Sequence, residues 1–152
     1  MSHSLNKIYV HTVFRTKHNE PLITEEIEKN LFPFLKNQLV EMGCYEIAIN
    51  GIPDHIHLLF LLSPKKSISE VAQQLKGSSS YWINKLNLTK QKFEWQTGYG
   101  CFSISEFHVE KITKYIQNQK EHHKIKKYKN DDEELVYLNC IINPNFKKAI
   151  NP

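Results

Sequence analysis

The chain has 152 residues, 40% of them hydrophobic and 24% charged, enough apolar material for one ordinary domain and too much for a wholly disordered chain. Its formal charge is +4, from 20 basic and 16 acidic residues, a mild excess that fits a polyanionic partner without demonstrating one. Arg15 is the one arginine among those basic residues, so the positive charge is suited to phosphates more than to bidentate reading of bases.

No run approaches the roughly 20 apolar residues of a membrane span, and Met1-Ser2-His3-Ser4 lacks a secretion-signal pattern. Cys44, Cys101 and Cys140 are scattered, odd in number and without a CxxC pair. They read as reduced thiols in a cytoplasmic protein. Neither a phosphate-loop signature nor GxGxxG occurs, because in Lys76-Gly77-Ser78 the lysine precedes the glycine. No nucleotide cofactor is expected.

Residues 5–14 alternate, with Ile8, Val10, Thr12 and Phe14 on one side and Tyr9, His11 and Val13 on the other. That is a half-buried strand. After a polar turn, Thr24 can cap a helix with Glu25 and Glu26 in its first turn. Ile27, Leu31, Leu35 and Leu39 form its core-facing stripe, Pro33 predicts a kink, and Gly43 ends it. Residues 45–50 and 55–62 read as two strands of a hairpin joined by Gly51-Ile52-Pro53-Asp54. Ser67-Ile68-Ser69-Glu70 is a capping box, opening a second helix that carries Val71, Leu75 and Trp82. Residues 93–104 read as a loop and a fourth strand, and 106–123 as one final helix with Val109, Ile112 and Ile116 as its stripe. Beyond Lys124 the chain is lysine-rich, then acidic over 131–134, then weakly apolar.

The order strand, helix, strand, strand, helix, strand predicts an α+β fold. It is a ferredoxin-like or RRM-like four-stranded antiparallel sheet with two helices on one face, followed by a C-terminal helix. The opposite face is expected to be open and to need a partner. Residues 1–125 are expected to form the domain, with 126–152 a tail of the same domain.

His55-Ile56-His57 is the most informative stretch. Strand alternation sends His55 and His57 to one face and Ile56, Leu58 and Phe60 to the other, under the helices. The imidazoles then stand about 7 Å apart along the open face, as two cis ligands of one metal ion or as two surface histidines. In Lys114-Tyr115-Ile116-Gln117-Asn118-Gln119, Tyr115 and Gln119 are four apart and share a helical face. An amide oxygen can be a third metal ligand and a phenol can be a nucleophile. Equally, the two can be a core-edge aromatic and a solvated amide.

These residues, in this order, resemble the single-tyrosine HUH transposases of bacterial and archaeal insertion sequences, the IS200-like superfamily. A related group of domesticated enzymes, the REP-associated tyrosine transposases, shares the core motifs. The likeness extends to Ile8-Tyr9-Val10-His11-Thr12-Val13-Phe14, Gly51-Ile52-Pro53-Asp54, Leu75-Lys76-Gly77-Ser78-Ser79, Phe93 to Gly100 and Glu121-His122-His123-Lys124. It covers about residues 5 to 125. Pro33 and the scarcity of arginine depart from what such a DNA enzyme would lead one to expect.

The resemblance implies a homodimer whose sites combine the histidine pair of one subunit with the tyrosine helix of the other. It implies metal-dependent cleavage and rejoining of single-stranded DNA at the hairpin ends of a mobile element. Tyr115 would be the nucleophile, leaving a 5′-phosphotyrosine. His55, His57 and Gln119 would hold Mg²⁺ or Mn²⁺, with imidazoles favouring Mn²⁺. Arg15, Lys17 and Lys76 are candidate DNA contacts, as is the group of seven lysines between Lys111 and Lys129. Tyr81, Trp82, Trp95 and Tyr99 are candidates for stacking on bases or for the core. His108 and His122, seven residues either side of Tyr115, either assist it or lie on a solvated face, and adjacent His122 and His123 point apart. His11 either lines a DNA groove or faces solvent. Two other functions compete: an RRM-like module that binds single-stranded nucleic acid without chemistry, and a metal-dependent nuclease that uses water.

Overall fold

Strand alternation in the first residues produces β1 (Tyr9–Arg15), followed by α1 (Glu25–Glu41), β2 (Tyr45–Ile52), β3 (His55–Leu61), α2 (Ile68–Lys85), β4 (Gly100–Ile104), α3 (Val109–Gln117) and α4 (Gln119–Ile125), with single 3-10 turns at Lys17–Asn19 and Glu106–His108. The structure, a computed structural model, describes residues 4–125. The expected tail, 126–152, lies outside the described residues, as does Cys140. Internal contacts divide the chain into Met1–Lys120 and Glu121–Pro152, and the sheet belongs to the first unit.

The strands pair antiparallel in the order β2-β3-β1-β4, the ferredoxin-like arrangement that two split βαβ units produce. Local signals place the helix ends. Thr24 Oγ1 accepts from Ile27 N–H at 3.3 Å, and Gly43 follows α1 at φ +78°. Ser67 Oγ accepts from Glu70 N–H at 3.1 Å. The Glu70 carboxylate accepts from the Ser67 hydroxyl at 3.2 Å, so the reciprocal half of the box closes on that hydroxyl. α1 runs through Pro33 without interruption. Pro33 is exposed, where water can satisfy the carbonyl that loses its donor.

One face of the sheet carries the main core. Val10 and Phe14 of β1 and Ile56, Leu58 and Phe60 of β3 pack with Ile27, Leu31, Leu35 and Leu39 of α1 and Val71, Leu75 and Ile83 of α2. Trp82 is half-buried and stacks on Phe34, ring centroids 4.6 Å apart.

The second face is covered, contrary to the open face expected from sequence. α3 packs on β2 and β3 and buries Ile112 and Ile116, while Val13, Ala48 and Leu59 are buried outside the main core. The amphipathic stripe of α3 supplies the cover that an exposed sheet face requires. The single final helix is also corrected: it ends at Gln117, and Asn118, at φ −97° and ψ 16°, separates α3 from α4. Tyr115 and Gln119 therefore lie on different helices. A further unexpected feature is a bulge between Glu46 and Ala48 in β2. It sets the downstream register, putting Asn50 opposite His57. Among the described residues no helix is long and apolar enough to cross a membrane.

Candidate active site

β3 is a central strand, flanked by β2 and β1, so residues on its second face are enclosed laterally as well as covered by α3. His55 and His57 project there and are 2% and 0% exposed. They are a buried pair and not a surface one. Their ring centroids are 5.3 Å apart and their ligand nitrogens lie within 4.8 Å of one another.

Each imidazole has its Nδ1 engaged. His55 Nδ1 lies 2.7 Å from Asp54 Oδ1, and Asp54 Oδ2 lies 3.5 Å from Arg15 Nη1. His57 Nδ1 lies 2.9 Å from His11 Nε2. In the ladder His11 is opposite Leu59 and Val13 is opposite His57, so His11 and His57 meet as diagonal neighbours on one face. His11 is buried and does not face solvent. Outer partners of this kind fix the tautomer and orientation of a ligating imidazole and present its Nε2. The sequence offers no role for Asp54 and places His11 in a groove or in solvent, whereas the structure sets both against the histidine pair. For Asp54 a signal existed, a carboxylate directly before a candidate ligand; for His11 only the β1–β3 register brings it to His57.

Tyr115, on α3, is brought to the pair: its ring centroid stands 6.1 Å from that of His57 in the same chain, edge to face. Gln119 is fully buried at the first position of α4. His108 lies in the 3-10 turn before α3. Glu121, His122, His123 and Lys124 belong to the second unit, where Lys124 pairs with Glu121 at 3.1 Å.

The candidate DNA contacts are distributed differently. Arg15 reaches Asp54 and also donates to Asn19 Oδ1 at 3.1 Å, which ties it to the histidine pair through a carboxylate. Lys17 pairs with Glu94 at 3.4 Å, and bonds from Lys92 and Lys17 hold the Glu94 carboxyl below its usual range. Lys76 donates to the carbonyls of Gln96 and Gly98 at 2.7 and 2.5 Å and sits over the Phe14 ring. Burial pushes its ammonium below the ordinary lysine value. Trp95 is core, donating from Nε1 to Ser79 Oγ at 2.9 Å, whereas Tyr81 and Tyr99 are exposed. Burial also pushes the Cys101 thiol up.

Comparison with known proteins identifies the family and the fold. A family model described as transposase, IS200-like, matches residues 4–119. The ISDra2 transposase TnpA of Deinococcus radiodurans is 25% identical over 114 residues, spanning 72% of this chain and 81% of that protein. Among solved structures, a Deinococcus radiodurans R1 protein described as a transposase superposes with a TM-score of 0.63 at 25% identity, over 78% of this chain and 95% of that one. A REP-associated tyrosine transposase, solved bound to a REP hairpin, shares the fold with a TM-score of 0.60 at 15% identity, over 81% of this chain and 74% of that one. The match of the family model over most of the chain, on a ferredoxin-like sheet with a buried histidine pair beside Tyr115, makes this protein a member of the IS200-like transposase family.

Proposed function

We propose that the protein cleaves and rejoins single-stranded DNA at hairpin ends of a mobile element, through a 5′-phosphotyrosine on Tyr115. The observation that carries the reading is the meeting of the Tyr115 and His57 rings at 6.1 Å, beside His55, on one buried face of the sheet. Family membership supports the DNA substrate.

The donor set fits a divalent cation. Two imidazoles offer nitrogens within 4.8 Å of one another, each oriented through its Nδ1, and the amide of Gln119 is buried. His55, His57 and Gln119 would hold Mg²⁺ or Mn²⁺, and imidazole donors suit Mn²⁺ better. Such an ion offsets negative charge on a scissile phosphate.

The chain's own residues do the rest. Tyr115 Oη attacks phosphorus as the bond from phosphorus to the 3′-oxygen breaks. The phenol loses its proton, the departing 3′-oxygen gains one, and the 5′-phosphate stays on the tyrosine. Attack by another 3′-hydroxyl reverses the step and reseals a strand without ATP, in keeping with the missing phosphate loop. Asp54 and His11 orient the imidazoles. Lys17 and Lys76 supply charge for phosphates, and Arg15 acts on the site through Asp54. A homodimer and a cytoplasmic setting belong to the same reading, supported by the family resemblance.

The test is incubation of the protein with Mn²⁺ and a labelled hairpin oligonucleotide carrying single-stranded flanks, resolved under denaturing conditions. A protein–DNA adduct that disappears in Tyr115→Phe is expected. Cleavage that survives Tyr115→Phe means water is the nucleophile and the protein is a nuclease. Binding with no cleavage means a non-catalytic nucleic-acid module.

A further inference from the structure

We propose that Lys120, acting with Asn50 and Glu28, is a positioning group that holds the tyrosine helix and Gln119 against the histidine pair. The inference rests on the site reading above, and deepens it by naming what sets the distance between helix and sheet.

The Lys120 ammonium donates to Glu28 Oε1 of α1 at 3.0 Å, to Asn50 Oδ1 of β2 at 2.8 Å and to the Gly51 carbonyl at 3.1 Å. All three ammonium protons are thereby used. Glu28 is the more enclosed partner, its side chain 12% exposed against 39% for Lys120. Asn50 works in both directions, since its Nδ2 donates to the Gln117 carbonyl at 2.9 Å. That carbonyl belongs to the last residue of α3, at the break before α4, where a helix offers its carbonyls to outside donors.

The position of Asn50 gives the contact its meaning. Asn50 is the direct cross-strand partner of His57, so one amide registers the end of the tyrosine helix against the ligand strand. Lys120 anchors the chain again three residues later. Gln119 lies between the two anchors and Tyr115 two residues before the first. The strands beneath are closely packed, since a Cβ at Gly51 would meet His55 O at 2.3 Å and Ile56 Cα at 2.8 Å. A compact ammonium suits three converging acceptors, which a planar guanidinium does not. An ordinary surface ion pair would bond only Glu28. Here the same cation also grips β2 at the residue facing His57.

The test compares wild type, Lys120→Met, which keeps the apolar stem and removes the three donors, and Glu28→Gln, which keeps an acceptor and removes the charge. Three quantities are read: amide hydrogen exchange over residues 109–117 against 25–41, Mn²⁺ affinity by electron paramagnetic resonance, and the rate of adduct formation against affinity for the hairpin oligonucleotide. In Lys120→Met, exchange over 109–117 should rise roughly ten- to a hundredfold, as expected for loss of charge-assisted bonds, with 25–41 unchanged. Mn²⁺ affinity and adduct rate should fall about 10- to 100-fold while hairpin affinity stays that of wild type, and Glu28→Gln, which leaves the bonds to Asn50 and Gly51 in place, should stay close to wild type in all three. Unchanged exchange over 109–117, or an equal rise throughout the chain, overturns the positioning role. If wild type forms no adduct at all, the proposed reaction fails, and the exchange comparison still decides the role of Lys120.

Discussion

Leu58 and His57 are neighbours on β3 and are equally buried, yet they enter different surroundings. Leu58 points into a layer of aliphatic and aromatic side chains shared with α1 and α2. His57 points into a layer that mixes Val13, Leu59, Ile112 and Ile116 with His11, His55 and Asn50. The first layer is held by non-directional burial of apolar area. The second is held by oriented polar contacts, each of which must be made if burial is not to cost stability. One sheet thus divides its labour: the apolar face supplies stability, and the other fixes the directions of nitrogens and of a phenol.

Substitutions on either side separate the two roles. Leu58→Ala should cost about 2–5 kcal/mol of unfolding free energy by transfer and cavity terms, measured by urea denaturation, with Mn²⁺ affinity retained in the fraction that remains folded. A loss of affinity in that folded fraction would show that the two layers are not independent. His11→Ala should do the reverse. It removes the contact at His57 Nδ1, so Mn²⁺ affinity should fall about 10- to 100-fold, with a smaller loss of stability than Leu58→Ala. Unaltered affinity would make His11 a packing residue. The smallest effect belongs to Pro33→Ala on the exposed side of α1. Restoring the missing N–H should raise stability by about 1–2 kcal/mol, less than the full helix penalty of proline because the unfolded chain is also freed. The adduct rate should not change.

The apolar face was legible in the sequence and the polar face only partly so. Ile27, Leu31, Leu35 and Leu39 recur at a helical period and Ile56, Leu58 and Phe60 at a strand period, so strong repetition named both elements and the side each buries. Thr24, Gly43 and Ser67 mark helix ends by chemistry that acts within a few residues. The site face depends on contacts between residues distant in sequence. His-Ile-His and the downstream tyrosine identified its centre by motif. The burial of His11 follows from the β1–β3 register and from α3 lying over β2 and β3, which alternation within β1 does not specify. The break at Asn118 carries no glycine or proline signal, and Asn50 and Lys120 hold the chain on either side of it. The bulge near Ala48, which decides what faces His57, is likewise invisible without its partner strand.

The most direct measurement of the central claim is mass spectrometry of the Mn²⁺-dependent adduct after proteolysis and nuclease digestion. A peptide carrying a 5′-phosphonucleotide on Tyr115, absent from Tyr115→Phe, is the result expected from the Tyr115–His57 geometry. A nucleotide on any other residue, or DNA ends that carry a free 5′-phosphate with Tyr115 unmodified, would contradict it.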